Sequence, residues 1–434
     1  MHSLEPRRNL SWLDAAGLIV GVIIGAGIYQ VSPDVARGAG SLLRLLLLWA
    51  LGGALSWCGA MVYTELATAF PRTGGDYVYL TRAYGPWAGF LFGWLQTVVI
   101  RPGDIAAMAF AFATYARVVA GGVQAEPAVS DSTLAAGVIA LLTLIHAAGL
   151  RFGVRTQNLL TAAKVLGLAT VVGLAASCRG EPRIEPMEPF PASVALILVL
   201  FTYGGWNEIA YIAGEIRDPR RNIVRALAAG LSGVTLLYLL ANLAMARALG
   251  GIAGLAAARA PAAESLARIL PGADRWVAGL IAVSALGAVH ALIFSGARIP
   301  AAVGRDHPWF RALGEWNPRT GSPVRALLVQ GALAIAMVLA LGSFVQTVLY
   351  TAAPVYLFYL ATTLALPILR RQTSEAPPWR MWGYPITWAV FALACAWLTW
   401  SAIRYRPATA AASLALAVVG LPVWAAMRRV HANK

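Results

Sequence analysis

The sequence predicts an all-α membrane protein of twelve transmembrane helices, and three observations predict it. Apolar runs of about 20 residues recur along the chain, each long enough to cross a bilayer. The 434 residues are 59% hydrophobic and only 12% charged, with a mean hydropathy of +0.68. The short alternating segments that mark a membrane β-barrel do not appear.

The spans fall at 12–36, 42–69, 86–119, 133–150, 156–177, 190–214, 223–249, 273–299, 323–341, 343–369, 381–402 and 407–427. Arginines occur in Met1–Leu10, but the apolar run behind them is long and lacks a small-residue cleavage site, so it reads as span one and not as a signal peptide. Lys and Arg cluster on the side that holds the N-terminus, including Arg7, Arg8, the Arg217–Arg225 and Arg298–Arg325 groups, Arg370 and Arg371. That bias places both termini in the cytoplasm. The net charge of +15 is thus a matter of topology and anionic lipid, and nucleic acid is not a partner. The dominance of Arg over Lys and the abundant Ala look like a GC-rich bacterial genome, which makes the inner (plasma) membrane the expected location.

Span one is interrupted at GAG, Gly25–Gly27, inside GVIIGAGIYQ. Each glycine weakens a helix interior relative to alanine. Gly17, Gly21 and Gly25 share one helix face, which fits a small-residue packing surface. Gly27 lies off that face, and an unwound turn there exposes N–H groups at a half-helix N-terminus, which suit a carboxylate. Span two carries Glu65 near its end. Asp76 follows in PRTGGDYVYL, and both lie towards the inner surface as loop or gate contacts. Span three holds VVIRPGDIAAM, where Arg101 and Asp104 stand one turn apart and read as a structural ion pair near Pro102.

Span four carries His146, and span eight carries His290. Each is single in its segment and reads as a helix-packing histidine. Lys164, in LLTAAKVLGLA of span five, is one of two lysines in the chain. A buried ammonium needs oxygen partners or loses its proton. It can stand in for a bound cation or cycle a proton, and the plainer alternative is snorkelling to the interface.

Span six is interrupted at FTYGGWNE, Phe201–Glu208. Carbonyls freed near Gly204 and Gly205 can accept from a ligand ammonium. Phe201 and Trp206 can close over that ligand or merely pack between helices, and Glu208 follows the break. The outer stretch Gly250–Gly272 allows short amphipathic surface helices, and Pro300–Ser322 reads as a cytoplasmic loop.

The two interruptions each open a block of five spans, and an odd number inverts the second block relative to the first. Paired glycine-broken helices in inverted halves point to a binding site at the midplane. The chain is therefore one membrane domain. Residues 12–177 form the first five-helix repeat, 190–369 the second, and 381–427 two further helices. An N–H cluster facing a carbonyl cluster matches a zwitterionic α-amino acid. No phosphate loop, HExxH, CxxC or GxSxG is present. Cys58, Cys178 and Cys395 have no ligand spacing, so no cofactor, metal or catalytic role is expected.

These motifs resemble the amino acid–polyamine–organocation superfamily, and most of all its L-type neutral amino acid branch with its bacterial relatives. The resemblance rests on GVIIGAGIYQVSP, PRTGGDYVYLTRAYGPWAGFLFGW, VIRPGDIAAMAFAFATY and FTYGGWNEIAYIAGEIRDPRRNIVRAL, and runs from about Asp14 to Pro367. It implies a leucine-transporter-type fold with broken helices 1 and 6. It also implies sodium-independent permease activity by alternating access, as an antiporter or a proton symporter. The resemblance assigns the substrate carboxylate to the backbone of Gly25, Ala26 and Gly27. It assigns the ammonium to backbone near Ile24, Phe201 and Gly204. Phe201 becomes the outer gate, Trp206 and Asn207 line the site, Val99 and Ile100 shape the side-chain pocket, and Lys164 stands where relatives bind sodium.

The chain departs from the pattern in places. Ala26 replaces a common serine, Gly214 a common glutamate, and His290 a common asparagine. Gly121–Ser132 holds no cysteine, so a disulfide to a heavy-chain glycoprotein cannot form there. The alternatives are a transporter of cationic amino acids or other amines, and a ligand-sensing receptor on the same fold.

Overall fold

A computed structural model describes residues 11–432 except 71–74, 124–128, 150–153, 178–179, 182–189, 209–215, 271, 373–376 and 378. Among the described residues the structure is helical, with one isolated bridge between Asn317 and Ser322. Eight helices are long and apolar enough to cross a membrane, or nine if the bent pair at the N-terminus is one span.

That pair is α1 (Trp12–Ile23) and α2 (Gly27–Ala39), which meet at 59°. A capping box starts α1: the Ser11 hydroxyl accepts from the Asp14 N–H at 3.2 Å, and the Asp14 carboxylate accepts from the Ser11 N–H at 2.9 Å. Gly40, in the left-handed conformation, ends α2. Then follow α3 (Leu42–Ala69), α4 (Asp76–Tyr84), α5 (Pro86–Leu95), α6 (Arg101–Gly121), α7 (Asp131–Ala147), α8 (Val154–Ala176) and α9 (Ala192–Thr202). The second half holds α10 (Pro219–Ala248), α11 (Ile252–Ala257), α12 (Pro261–Ala267), α13 (Ala273–Gly296), α14 (Arg298–Asp306), α15 (Arg311–Gly314), α16 (Val324–Leu341), α17 (Phe344–Gln372), α18 (Ile386–Tyr405) and α19 (Pro407–Ala432).

The expected spans at 133–150, 156–177 and 190–214 coincide with shorter apolar helices. The last of them stops at Thr202, turns through Tyr203–Gly205, and continues as a short 3₁₀ helix at Trp206–Glu208. The remainder of that expected span, like Gly214, lies outside the described residues. The eleventh helix begins at Ile386 and not at 381, because Trp382–Pro385 form turns before it. The outer stretch after Gly250 does form two short helices, and their inner residues are buried.

One departure from α geometry positions the site. Between α5 and α6, Gln96–Ile100 form a π-helical turn, in which the Arg101 N–H donates to the Gln96 carbonyl. Pro102 follows at once and has no N–H to give. The wider turn takes up that missing donor without ending the helix, and it rotates the residues behind it.

Packing brings α6 against α13, α10 against α1 and α3, and α2 against α9. Glycines permit the closest approaches. A methyl on Gly59 of α3 would lie 2.6 Å from the Phe391 ring and 2.8 Å from Trp206. Small residues let helix backbones approach where lipid supplies no hydrophobic drive.

Candidate functional site

The hydrogen bonds of the first break are incomplete. Ile24 N–H donates to Val20, closing α1, and the N–H groups of Tyr29 and Gln30 donate to the Ala26 carbonyl. The N–H groups of Gly25, Ala26, Gly27 and Ile28 donate to no backbone or side-chain acceptor among the described residues. Four consecutive free donors at the start of a helix form an anion-attracting end, since the dipole of α2 adds to them.

The second break lies directly against the first. A methyl on Gly27 would meet the Thr202 hydroxyl at 3.4 Å, and Gly205 abuts Val22. Gly205 has φ +107°, a conformation glycine adopts freely. The Gly204 N–H donates to the Phe201 carbonyl at 2.9 Å, closing the turn. Tyr238 of α10 ties both breaks, with its hydroxyl 3.0 Å from the Ile23 carbonyl and 3.4 Å from that of Thr202.

The breaks open onto a cavity of about 1240 Å³. Its wall includes Gly25, Gly27, Ile100, Lys164, Phe201, Gly204 and Asn207, so the fold brings these sequence-chosen residues together. Ile24, Ala26, Val99 and Trp206 lie behind the wall and are buried. Trp206 packs edge-on against Tyr63 at 5.2 Å and Phe391 at 5.6 Å, so its ring fills the space between α3 and α18. Glu208 has no described side chain.

Gly17, Gly21 and Gly25 all face the cavity, and a methyl on Gly17 would meet nothing within 4 Å. That face of α1 borders open space and is not a helix-packing surface. Arg101 and Asp104 also depart from expectation. They form no ion pair among the described residues, and both line the cavity. Lys164 is 9% exposed, reaches the wall and has no partner among the described residues, so it does not snorkel away.

Some wall residues carried no signal in the sequence. Gln96 comes from the π turn, and Thr351, Ala352, Tyr356 and Tyr359 come from α17. Pro354 and Pro367 inside α17 were the local marks that this helix departs from a plain span. Phe201, in the wall, packs edge-on against Phe344, with ring centroids 5.6 Å apart at 89°.

Two charged contacts lie at the other end. Arg370 binds both oxygens of Glu65 at 2.7 Å, and the Met381 N–H donates to the same carboxylate. Asp76 accepts from the hydroxyls of Tyr63 at 2.5 Å and Thr362 at 2.6 Å. These bonds tie α3 and α4 to α17. His146 and His290, single in the sequence, stack on one another with centroids 4.5 Å apart. No group of three metal-binding side chains occurs among the described residues.

A family model for amino acid permeases matches residues 10–423. The chain is 30% identical to the large neutral amino acids transporter small subunit 2 of Mus musculus, over 96% of this chain and 80% of that protein. The same subunit from Homo sapiens matches equally, at 30% over 96% of this chain and 80% of that protein. The b(0,+)-type amino acid transporter 1 of Mus musculus is 31% identical over 87% of this chain and 80% of that protein. Helix ends meeting at a cavity, a multi-pass apolar architecture and these matches agree: the chain belongs to the amino acid permease family of the amino acid–polyamine–organocation superfamily, in its L-type branch, and is an amino acid transporter and not an enzyme.

Proposed function

We propose that this chain carries neutral L-amino acids across the cytoplasmic membrane without sodium, by alternating access around the cavity described above. The observation that carries this reading is the run of undonated N–H groups from Gly25 to Ile28, of which Gly25 and Gly27 line the cavity. They suit a substrate carboxylate, while carbonyls at the second break, near Phe201 and Gly204, suit its ammonium. Ile24 and Ala26, buried behind the wall, contribute backbone only. Ile100 and Asn207 border the substrate, with Val99 and Trp206 supporting the wall from behind.

Charge supports a neutral substrate. The described wall holds Asp14, Asp76 and Asp104 against Arg101, Lys164 and Arg298, so the two signs balance. A ligand of net charge would upset that balance where the dielectric is low. The names of the relatives above, large neutral amino acids transporter among them, support the same class. Lys164 takes the place of a bound cation, and cycling its proton would couple transport to pH.

The broken pair and the three shorter apolar helices, taken with the eight long ones, make twelve spans. We read 12–177 and 190–369 as inverted five-helix repeats, with two helices added at 381–427. Both termini then lie in the cytoplasm, and Asp14 and Arg298 mark the cytoplasmic mouth of the cavity. Phe201 on Phe344 would be the closed outer gate of an inward-facing state. The cysteine-free 121–132 loop leaves no anchor for a heavy-chain disulfide.

Uptake of radiolabelled amino acids into liposomes holding the purified protein, in sodium-free buffer, tests the reading. Uptake of at least one neutral L-amino acid is expected. Uptake that needs unlabelled amino acid inside marks an exchanger, and uptake driven by an inward proton gradient marks a symporter. No uptake across all the protein amino acids would refute transport.

A further inference from the structure

The wall formed by the π turn bears hydrogen-bonding groups that the protein itself leaves unused. Gln96, Ile100, Arg101, Asp104 and Met108 fall on one stripe of this helix and all line the cavity. The Gln96 Oε1 acceptor and the Arg101 Nε donor are buried without a hydrogen-bond partner. The Asp104 carboxylate, one turn after Arg101, has neither an ion pair nor a hydrogen bond among the described residues. Buried polar groups left unpaired are costly, and their cost falls only when a partner arrives.

We infer that this stripe reads the side chain of the transported amino acid, and that it selects a carboxamide, glutamine or asparagine. This rests on the cavity being the transport site. A carboxamide presents a carbonyl to the Arg101 guanidinium and an NH₂ group to Gln96 or to Asp104, which stand about two turns apart, so one planar group meets a donor and an acceptor together. A hydrocarbon side chain would leave all three unsatisfied. A cationic or anionic side chain would meet one of the charges well. It would also add net charge to a wall where Arg101 and Asp104 already balance. Sites built to hydrogen-bond a group reject analogues that lack it far more strongly than apolar pockets reject extra methylenes.

Competition against a labelled neutral amino acid in liposomes tests the inference. Glutamine and asparagine are expected to compete at lower concentrations than leucine, phenylalanine, lysine or glutamate. The charge-balanced double variant Arg101→Met/Asp104→Leu is expected to cut the glutamine-over-leucine ratio by roughly ten- to a hundredfold, the loss typical of hydrogen bonds to charged groups, and the variant Gln96→Leu by roughly two- to tenfold, the loss typical of a neutral one. Two variants guard against either one failing to fold. Leucine, lysine or glutamate competing best in the parent protein would overturn the inference and leave amino acid transport standing. So would variants that weaken glutamine and leucine by the same factor, since a structural role would do that. No uptake of any amino acid would instead refute the transport reading itself.

Discussion

The hydroxyl of Tyr238 donates to the carbonyl of Ile23 at 3.0 Å, at the last turn of α1 before its break. The Thr202 carbonyl, at the end of α9, lies 3.4 Å from the same oxygen. One fully buried phenol on α10 therefore ties together the ends of both broken helices. An exposed carbonyl inside a membrane protein has no water to satisfy it, so the phenol stabilises the geometry that opens the backbone to the cavity.

Replacing Tyr238 by Phe removes that donor and leaves the two carbonyls in place. The expected loss is about 1–3 kcal/mol of stability, the usual cost of an unsatisfied buried polar group. Thermal unfolding in detergent should show a lower midpoint, and uptake should fall with it. An unchanged midpoint would show that water or another donor takes over.

Gly17 and Gly205 separate open space from tight packing. Gly17→Ala adds a methyl that meets nothing within 4 Å, so the fold should hold or gain up to about 1 kcal/mol from helix propensity. Gly205→Ala meets Val22 and must adopt φ near +107°, which costs an L-residue of order 1–3 kcal/mol. Adding Val22→Ala should relieve the clash and leave the backbone strain, giving partial recovery of folded yield. Full recovery would mean the backbone conformation is not required.

Much of this was legible in the sequence because long apolar runs and glycine pairs act locally. The apolar runs and the places where the first and sixth expected spans stop follow from segments read one at a time, while the placing of Lys164 on the cavity wall does not. Arg101 and Asp104 stand one ordinary turn apart in α6 and still form no ion pair among the described residues; what spacing alone did not record is that both face a cavity. The ring of Trp206 looked as suited to the ligand as that of Phe201. Its ring contacts with Tyr63 and Phe391, and the approach of Gly59, show that it packs between helices. The meeting of His146 with His290, and the link from Tyr238 to Ile23, join residues more than a hundred positions apart, which no local pattern records.

Phe201 and Phe344 meet edge to face over the cavity, a contact worth about 0.5–1.5 kcal/mol beyond the area it buries. Phe201→Ala should loosen the outer closure and shift the population towards outward opening. A cysteine placed in the wall should then react faster with a membrane-impermeant thiol reagent added outside. Unchanged labelling would remove Phe201 from the gate.

Lys164→Ala takes one positive charge from a balanced wall. The folded protein should persist, since the side chain makes no hydrogen bond among the described residues. Uptake should fall at least tenfold and lose its response to pH, which a pH series in liposomes reads directly. Wild-type uptake with an unaltered pH profile would exclude Lys164 from coupling.

The central claim is that free backbone donors at Gly25–Gly27 hold the substrate carboxylate. Its most direct test measures competition for uptake by one transported amino acid and by the amine that differs from it only in lacking the carboxylate. The account predicts that the amino acid competes and the amine does not, even at a hundredfold higher concentration. Equal competition by the amine would contradict it.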